Sequence, residues 1–516
     1  MIRLCYTLVL AVLVAACGGG GGSSRAAVAP VPAPTPPATG FEAGEFEPAS
    51  NFKDLCVAPR TGNFPDAQGS RTDENNWLRS WSNELYLWYD EIQDENPEDF
   101  GTADYFGLLK SFETTTSGAF RDRFHFTFDT EEWIALSQSG VSAGYGVRFA
   151  VTEALPPREI VVVMREGDGA SPAGLADLSR GANILSVDGV DVEFGDDVDT
   201  LDNGLFPQDL GETHDFMVQD LGSANTRTIT MTSSEITFDP VQFVRTIDTD
   251  SGKVGYLFFS RHIATSEAEL IDAMQFLANE GVTDLIVDLR YNGGGFIDIA
   301  NQFAFMIAGP AAADGRIFHE VQFNDKHPVQ NPVTGAALSP EFFIETSLGF
   351  SAPEGEPLPV LNLARVYVLT GAGTCSASEL IINGLRGIGI EVIQIGETTC
   401  GKPYGFYAFD NCGTTYFSIQ FQGVNSLGFG DYSDGFSPAN VSLPAGVELP
   451  GCEIADDYDH ALSDDAEART AAALEYRENG ACPVQTNSSP SGLRFAKARQ
   501  GKPLIAPQFP GSVKRR

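Results

Sequence analysis

Three short runs of the sequence carry residues that could do chemistry, and each follows an apolar, β-rich stretch. They are DLRYNGGG at 288–295, GAGTCSASE at 371–379 and GETTCGK at 396–402. The glycines of the first run would expose backbone N–H groups suited to an oxyanion. Ser376 in the second run would start a helix, where the orphan N–H groups and the dipole favour negative charge. Lys402 in the third run could act as a general base if burial lowered its pKa.

Taken singly, each run has an ordinary structural explanation: a tight strand–helix turn, a serine N-cap and a solvated lysine. In open α/β sheets, however, ligands bind beyond the C-terminal ends of the strands, so three such runs predict one shared site. The run 396–402 also matches most of a phosphate-binding P-loop, but Pro403 stands where Ser or Thr would hold magnesium. The run is therefore not expected to bind a nucleotide. Because the sequence also has no Cys-x-x-Cys pair and no His-Glu-x-x-His motif, we expect no metal and no cofactor.

The elements that must position these runs alternate between strand and helix. Strands are predicted at 253–260, 284–289, 364–370 and 391–395, helices at 267–279 and 376–386, and a hairpin at 404–425 that turns near 410–413. This alternation is typical of an α/β domain built on a central sheet, and we place that domain at 237–483.

A helical segment is predicted ahead of this domain, at 46–136. Trp77, Trp81, Leu85 and Trp88 recur at spacings of four, four and three residues. That spacing puts all four side chains on one helix face, which is more typical of a packing face than of a ligand site.

The block 137–236 between them consists of short β-rich stretches separated by turn residues. It opens with Gly144, Tyr145, Gly146 and Val147, and later contains SPAGLA at 171–176 and GANILSVDG at 181–189. These runs resemble a PDZ domain, with 144–147 as its carboxylate-binding loop. In such a loop the backbone N–H groups converge on a peptide's C-terminal carboxylate while a strand edge pairs with the peptide backbone.

The N-terminal residues indicate export. Residues 1–16 have the charge and the short apolar run of a signal peptide, and the run LVAAC ending at Cys17 resembles the lipobox of bacterial lipoproteins. The resemblance implies cleavage before Cys17 and acylation of that cysteine, with 17–45, rich in Gly, Pro and Ala, as a tether. We expect a lipoprotein in the envelope of a bacterium, anchored to a membrane (the outer one is favoured) and facing the periplasm or the cell surface.

Charge and cysteine content limit the classes of partner and the compartment that the protein suits. The 516 residues carry 32 Lys+Arg against 70 Asp+Glu, a net charge of −38, which argues against a nucleic-acid partner. The last 33 residues, 484–516, are basic and predicted to be a disordered tail. Six cysteines remain after the leader and Cys17, which fits disulfides in an oxidising compartment. Proximity in sequence favours the pairs Cys400–Cys412 and Cys452–Cys482.

The three runs together, in this order and behind the PDZ-like block, resemble the C-terminal processing (tail-specific) serine peptidases. The resemblance covers roughly residues 70–450, and the run DRF at 122–124 also fits the family's layout. It implies that Ser376 is the nucleophile and Lys402 the general base. The implied activity is cleavage of proteins or peptides with free C-termini near those termini, without a cofactor and in an oligomeric state that the sequence leaves open.

The same resemblance implies a fold and an oxyanion hole. The fold would be multidomain α/β: a helical N-terminal segment, a PDZ-like β-rich module and a crotonase-like (ClpP/crotonase) α/β peptidase core. The oxyanion hole would combine the Ala377 N–H with that of Gly294 or Gly295.

The sequence also departs from the family pattern, and alternatives stay open. The family often has a glutamine four residues beyond the lysine to orient it, and here that residue is Phe406. Tyr404 and Glu379 are candidates for the orienting role. A related branch uses a histidine, for which His125 is the candidate. A different class of function is an anchored, catalytically inactive adaptor whose PDZ groove binds protein C-termini.

Overall fold

The computed structural model describes residues 40–167, 169–441, 446–483 and 504. All elements named below lie in Ala43–Arg516, which forms one unit by its backbone contacts. The predicted signal peptide, the acylated cysteine and most of the tether lie outside the described residues, as does the basic tail apart from Leu504. Within the described residues, no helix is both long enough and apolar enough to cross a membrane.

The N-terminal segment is a mixture of helices and short strands. Its elements are β1 (Leu55–Cys56), β2 (Ala67–Gln68), α1 (Arg71–Leu85), α2 (Thr102–Leu108), β3 (Phe126–Asp129) and α3 (Thr130–Ile134), with 3₁₀ turns at Ala49–Asn51, Tyr89–Glu91 and Pro97–Asp99 and a π turn at Ala135–Ser139. The prediction of helix was therefore right for α1 to α3 and wrong for the strands.

Helix α1 carries the predicted aromatic face only in part. A reciprocal capping box between Ser70 and Asp73 starts the helix. Trp77 and Trp81 are buried and stacked, with ring centroids 5.3 Å apart. Trp88 was wrongly placed on this face, because the backbone turns extended at Tyr86 (φ −62°, ψ 135°) and the helix ends at Leu85.

The block predicted to resemble a PDZ domain, here the PDZ-like module, is β-rich. Its elements are β4 (Val141–Gly144), β5 (Val147–Glu153), β6 (Glu159–Arg165), α4 (Pro172–Leu175), β7 (Asn183–Val187), β8 (Val190–Asp191), α5 (Val198–Leu205), β9 (Thr213–Gln219), β10 (Thr226–Thr232) and β11 (Ser234–Thr237). The main sheet has the order β10-β9-β7-β6-β5, so β5 is an edge strand. Leu504 packs into the core of this module and donates its N–H to the carbonyl of Ala154 (3.1 Å).

The remaining elements form the α/β core. They are β12 (Val241–Thr249), β13 (Gly252–Phe259), α6 (Ser266–Glu280), β14 (Asp284–Asp288), α7 (Ile297–Ala308), α8 (Pro310–Ala313), β15 (Ile317–Phe323), β16 (Glu341–Phe342), β17 (Arg365–Thr370), α9 (Ala377–Gly387), β18 (Glu391–Gly396), β19 (Tyr404–Gly405), β20 (Phe409–Asn411), β21 (Thr414–Phe417), β22 (Phe421–Val424), β23 (Phe436–Pro438), β24 (Val447–Leu449), β25 (Gly451–Cys452) and α10 (Ala468–Asn479). The predicted strands and helices of this region are present with ends shifted by at most two residues.

The central sheet of the core has the order β12-β13-β14-β17-β18-β25 and is parallel except for the β12–β13 pair. Alternate side chains of its strands enter two different apolar clusters. In β14, Leu285 and Val287 pack with α6, α7 and α9, whereas Ile286 packs on the opposite face with α10 and β6. Burial on both faces explains why these strands are continuous apolar runs rather than alternating ones.

The described residues form three disulfides: Cys56–Cys412, Cys375–Cys400 and Cys452–Cys482. The last was predicted correctly and the predicted Cys400–Cys412 pair was wrong. Cys400 meets Cys375 because β17 and β18 are neighbours and the loops after them lie together. Cys412 lies in the β20–β21 turn, where the N-terminal segment brings Cys56 within reach.

Candidate active site

The three predicted runs meet at one edge of the central sheet. Strands β14, β17 and β18 are adjacent and parallel, so the loops that follow them begin side by side. The Cys375 N–H donates to the carbonyl of Asn292 (3.0 Å), and the Cys400 N–H donates to the carbonyl of Thr374 (2.9 Å). Backbone hydrogen bonds thus join the second run to both of the others.

Ser376 lies at the N-cap of α9 in a strained conformation. Its φ of 63° and ψ of −112° place a non-glycine residue in the positive-φ half of the Ramachandran map, which side chains other than hydrogen rarely allow. Such a residue costs on the order of 1–3 kcal/mol and persists only where its surroundings hold it. The Ser376 N–H is held by the carboxylate of Glu379 at 2.8 Å, and the residue is fully buried (0% exposed).

Gly294 lies directly against the serine. A Cβ on Gly294 would be 2.9 Å from the Cys375 carbonyl oxygen and 3.0 Å from the Ala377 nitrogen, and its φ is +102°. Only glycine therefore fits this position. Its own N–H is used, since it donates to Oδ1 of Asn292 (3.0 Å).

Two other N–H groups are available for an oxyanion. Within the part of the chain that the structure describes, neither the Gly295 N–H nor the Ala377 N–H donates to an acceptor. Ala377 is the first residue of α9, so its N–H also has the favourable potential of a helix N-terminus. Of the predicted donor set, these two remain able to donate.

Lys402 is enclosed by aromatic rings. Its Nζ lies 4.1 Å from the ring centroid of Phe406 and 5.0 Å from that of Phe124, and the residue is 2% exposed. Burial lowers the pKa of Lys402 to about 7, although the charges of Asp122 and Glu379 act in the opposite direction. A substantial fraction of this amine is therefore neutral at neutral pH, as a general base requires.

The run DRF at 122–124 brings the N-terminal segment into the site. The Arg123 guanidinium donates to the carbonyl of Cys400, while Asp122 accepts hydrogen bonds from the Tyr86 hydroxyl (2.6 Å) and the Phe124 N–H (3.1 Å). Sequence reasoning noted this run but gave it no role. The signal that could have found one is an acid, a base and an aromatic in succession.

Glu379, one candidate for orienting Lys402, contacts the backbone of the lysine loop rather than the lysine side chain. Its carboxylate accepts from the backbone N–H groups of Gly401 and Lys402, both at 2.8 Å. Tyr404, the other candidate, packs its ring edge-on against Trp88 (centroids 4.8 Å apart).

His125 has other partners. Its Nε2 lies 2.9 Å from the carbonyl of Phe106 and its Nδ1 lies 3.7 Å from Asp122. Burial lowers the pKa of His125 to about 4, and the ring stacks on Phe106. Both ring nitrogens are therefore directed at the N-terminal segment.

One group of atoms could be mistaken for a metal site. Sγ of Cys375, Sγ of Cys400 and a carboxylate oxygen of Glu379 lie within 4.8 Å of one another. The two sulfurs are bonded to each other, however, so neither can serve as a thiolate ligand.

The predicted carboxylate loop of the PDZ-like module links β4 to β5. Tyr145 is buried and its hydroxyl donates to the carbonyl of Gly204 on α5 (3.0 Å). Gly146 has φ +72°, and a Cβ there would lie 2.5 Å from the Cβ of Ser171. Just beyond Val147, Arg148 donates to the carbonyl of Tyr291 (2.6 Å), which connects this loop to the first run.

Comparison with known proteins agrees with this arrangement. Residues 253–406, which hold all three runs, match the family model described as Peptidase family S41. The chain carries an S41 peptidase domain. Within it lie the Gly294 turn, Ser376 and Lys402.

Relatives of this S41 domain include two curated proteins. One is a carboxyl-terminal-processing protease of Picosynechococcus sp., 23% identical over 275 residues, which are 52% of this chain and 56% of the relative. Another is a chloroplastic C-terminal processing peptidase of Tetradesmus obliquus, 24% identical over 291 residues, with 54% and 56% covered. The chain thus spans about half the length of the curated relatives it matches.

A solved structure has the same fold. An S41 protease from Bacteroides fragilis superposes with a TM-score of 0.56 at 20% sequence identity, covering 82% of this chain and 100% of that one. The predicted multidomain α/β architecture is therefore confirmed as that of an S41 peptidase.

Proposed function

We propose that this protein is a serine endopeptidase of the C-terminal processing type, with Ser376 as nucleophile and Lys402 as general base. The observation that carries the proposal is a fully enclosed lysine with a pKa of about 7, whose loop shares a carboxylate with the loop of a strained serine. A buried lysine of this kind has no ordinary structural use, because burial penalises its charged form. Its place within an S41 domain supports the same conclusion.

The reaction follows from these groups. Neutral Lys402 takes the proton of the Ser376 hydroxyl as Oγ attacks the carbonyl carbon of the scissile peptide bond. The N–H groups of Gly295 and Ala377 stabilise the oxyanion. The Lys402 ammonium then gives its proton to the departing amine, leaving an acyl-enzyme. Water, deprotonated by Lys402, releases the acid product and restores the serine.

The PDZ-like module supplies the selection of substrates by their C-termini. Its edge strand β5 and the loop 144–147 fit the mode in which a peptide adds a strand to a sheet and its carboxylate meets backbone N–H groups. Both curated relatives are named for C-terminal processing. We infer that substrates are proteins or peptides with free, accessible C-termini.

The location is proposed from the sequence of the leader. Cleavage before Cys17 and acylation of that cysteine would anchor the protein to a membrane of the cell envelope, facing the periplasm or the surface. Three disulfides in the structure suit such an oxidising compartment. Cys17→Ser should move the protein from the membrane to the soluble fraction, and unchanged membrane association would refute the anchor.

The function is tested with a soluble form of the protein starting at Phe41 and unstructured peptides bearing free apolar C-termini. Mass spectrometry should show cleavage by the wild type and none by Ser376→Ala or Lys402→Ala, each with intact circular dichroism. Loss in Ser376→Ala and His125→Ala but not in Lys402→Ala would transfer the base role to His125. Peptide binding without cleavage by any form would make the protein an adaptor.

A further inference from the structure

Lys402 has to be held without the side-chain partner that its family pattern provides. The residue four positions beyond it is Phe406, whose ring can enclose the ammonium but cannot accept a directed hydrogen bond. A general base needs a fixed distance and direction to the proton it removes. The question is therefore which groups fix Lys402 relative to Ser376.

Glu379 joins the two loops through four hydrogen bonds. One oxygen accepts from the backbone N–H groups of Ser376 and Lys402, both at 2.8 Å; the other accepts from the Gly401 N–H (2.8 Å) and the Thr399 hydroxyl (2.6 Å). Four donors occupy both oxygens, so this pattern requires the ionised carboxylate even though burial raises its pKa. A single buried side chain thereby sets the positions of the nucleophile's and the base's backbones.

The Cys375–Cys400 disulfide joins the same two loops covalently. Cys375 immediately precedes Ser376, and Cys400 comes two residues before Lys402, with 5.1 Å between the two Cα atoms. The sulfurs also pack against the aromatic cluster that contains Tyr86 and Phe124 of the N-terminal segment. The bond therefore lies between the site and the segment that closes over the lysine.

We propose that Glu379 and the Cys375–Cys400 disulfide together are the positioning group of the Ser376/Lys402 pair, acting through the backbone. This inference rests on the proposed function. Since the backbone is fixed on both sides, the lysine side chain needs no directed hydrogen bond to hold it, and among the described residues the rings of Phe124 and Phe406 enclose its Nζ. The orienting role that the family gives to a glutamine is thus taken by Glu379 and the disulfide, which fix the two loops rather than the lysine side chain.

The chain offers a matched control for the disulfide. Cys452–Cys482 closes a loop of similar length, with a sequence separation of 30 against 25, and joins β25 to the residues after α10. Loop length governs the chain-entropy part of disulfide stabilisation, so removing either bond should lower the Tm by a similar amount. Of the two bonds, only Cys375–Cys400 joins the loops that carry Ser376 and Lys402.

The experiment compares kcat, KM and Tm for the Cys375→Ser/Cys400→Ser and Cys452→Ser/Cys482→Ser variants. We expect kcat of the first to fall by on the order of a hundred-fold, as for a misplacement of about 1 Å, with KM little changed. The second should keep the wild-type kcat below its Tm. A first variant that keeps kcat within about twofold, or two variants that lose kcat equally, would overturn the role of the disulfide.

Glu267 is the matched control for Glu379. It is also buried, and its carboxylate also accepts from backbone N–H groups, those of Ser351 (3.0 Å) and Ala352 (3.1 Å), which lie outside the loops that carry Ser376 and Lys402. Glu379→Gln should lower kcat and move the acidic limb of the pH–rate profile below pH 7, because the lost charge raised the pKa of Lys402. Asp122 and the enclosing rings stay in place. Glu267→Gln should move neither, and an unshifted limb with wild-type kcat in Glu379→Gln would overturn its role.

Failure of the inference and failure of the proposed function give different results. If the wild type neither cleaves peptides nor reacts at Ser376 with a fluorophosphonate, the proposed function is wrong. If the wild type reacts and the Cys375→Ser/Cys400→Ser and Glu379→Gln variants react equally fast, the peptidase stands and the positioning group is wrong.

Discussion

The glycine-rich turns at Gly294 and Gly146 differ in how closely their surroundings pack against them. The turn at Gly294 presses against Ser376 and Ala377, and the polar groups around it are bonded to one another. The turn at Gly146 leads into β5, and no other described strand pairs with the outer side of β5. The difference teaches that the core closes neighbouring loops on each other around its candidate site, whereas the PDZ-like module leaves the outer side of β5 without a partner strand among the described residues, where we propose that a peptide binds.

The strongest way to break this comparison is to put a side chain into the closed turn. Gly294→Val should reduce kcat/KM by at least about a hundred-fold, because its Cβ would collide with the Cys375 carbonyl and displace the serine loop. Peptide kinetics measure the loss. Gly107→Ala, where an added Cβ meets nothing within 4 Å, is the control. Wild-type kinetics in Gly294→Val would show that the turn is not part of the site.

A change in the open turn should act on binding alone. Gly146→Val would clash with Ser171 and distort the loop that we expect to meet the carboxylate. KM for peptides with free C-termini should rise about tenfold while kcat stays unchanged. An amidated peptide, which lacks the carboxylate, should show little change between wild type and variant. Equal effects on both peptides would remove the module from substrate recognition.

The apolar enclosure of Lys402 can be tested by replacing Phe406 with glutamine, the residue that the family often has at this position. Phe406→Gln would place an acceptor near the ammonium and favour its protonated form, so the acidic limb of the pH–rate profile should move up from about 7. At pH 7 this lowers the rate several-fold, and the rate should recover at higher pH. Phe406→Leu keeps an apolar side chain and should leave the limb nearer its original position. If the acidic limb of Phe406→Gln did not move, the general base would not be Lys402.

The smallest effect is expected where the two regions touch. Arg148 joins the module to the carbonyl of Tyr291 and pairs with Glu166, which also pairs with Arg261 of the core. Ser376 is fully buried, and we expect that access to it requires neighbouring segments to part. Arg148→Ala should loosen this contact and raise basal labelling of Ser376 about two- to threefold, with Arg227→Ala, within the module, as the control. A slower or unchanged rate would contradict a restraining role.

The core could be predicted well from sequence because its signals are local. Continuous apolar runs mark buried parallel strands, and helix α9 begins one residue from its predicted start. Ser376 and Lys402 were proposed as site residues because each follows such a strand. The adjacency of β17 and β18 then brings their loops together.

The features that sequence reasoning missed depend mostly on contacts between distant parts of the chain. Nothing near residues 122–124 indicates that Asp122 and Phe124 reach a lysine some 280 positions later. Proximity along the chain suggested Cys400–Cys412, whereas the sheet order decides for Cys375–Cys400. Trp88 continues the helical spacing of Trp77 and Trp81, but the backbone leaves the helix before reaching it.

The central claim, that Lys402 activates Ser376, is tested most directly by covalent labelling that needs no knowledge of the substrate. The rate of fluorophosphonate addition, followed by intact mass and peptide mapping from pH 5 to 9, should give one adduct on Ser376. The rate should rise as pH increases through about 7, where Lys402 loses its proton. Lys402→Met should label far more slowly, without that rise. Labelling of Lys402→Met at the wild-type rate and with the same pH dependence would contradict the account.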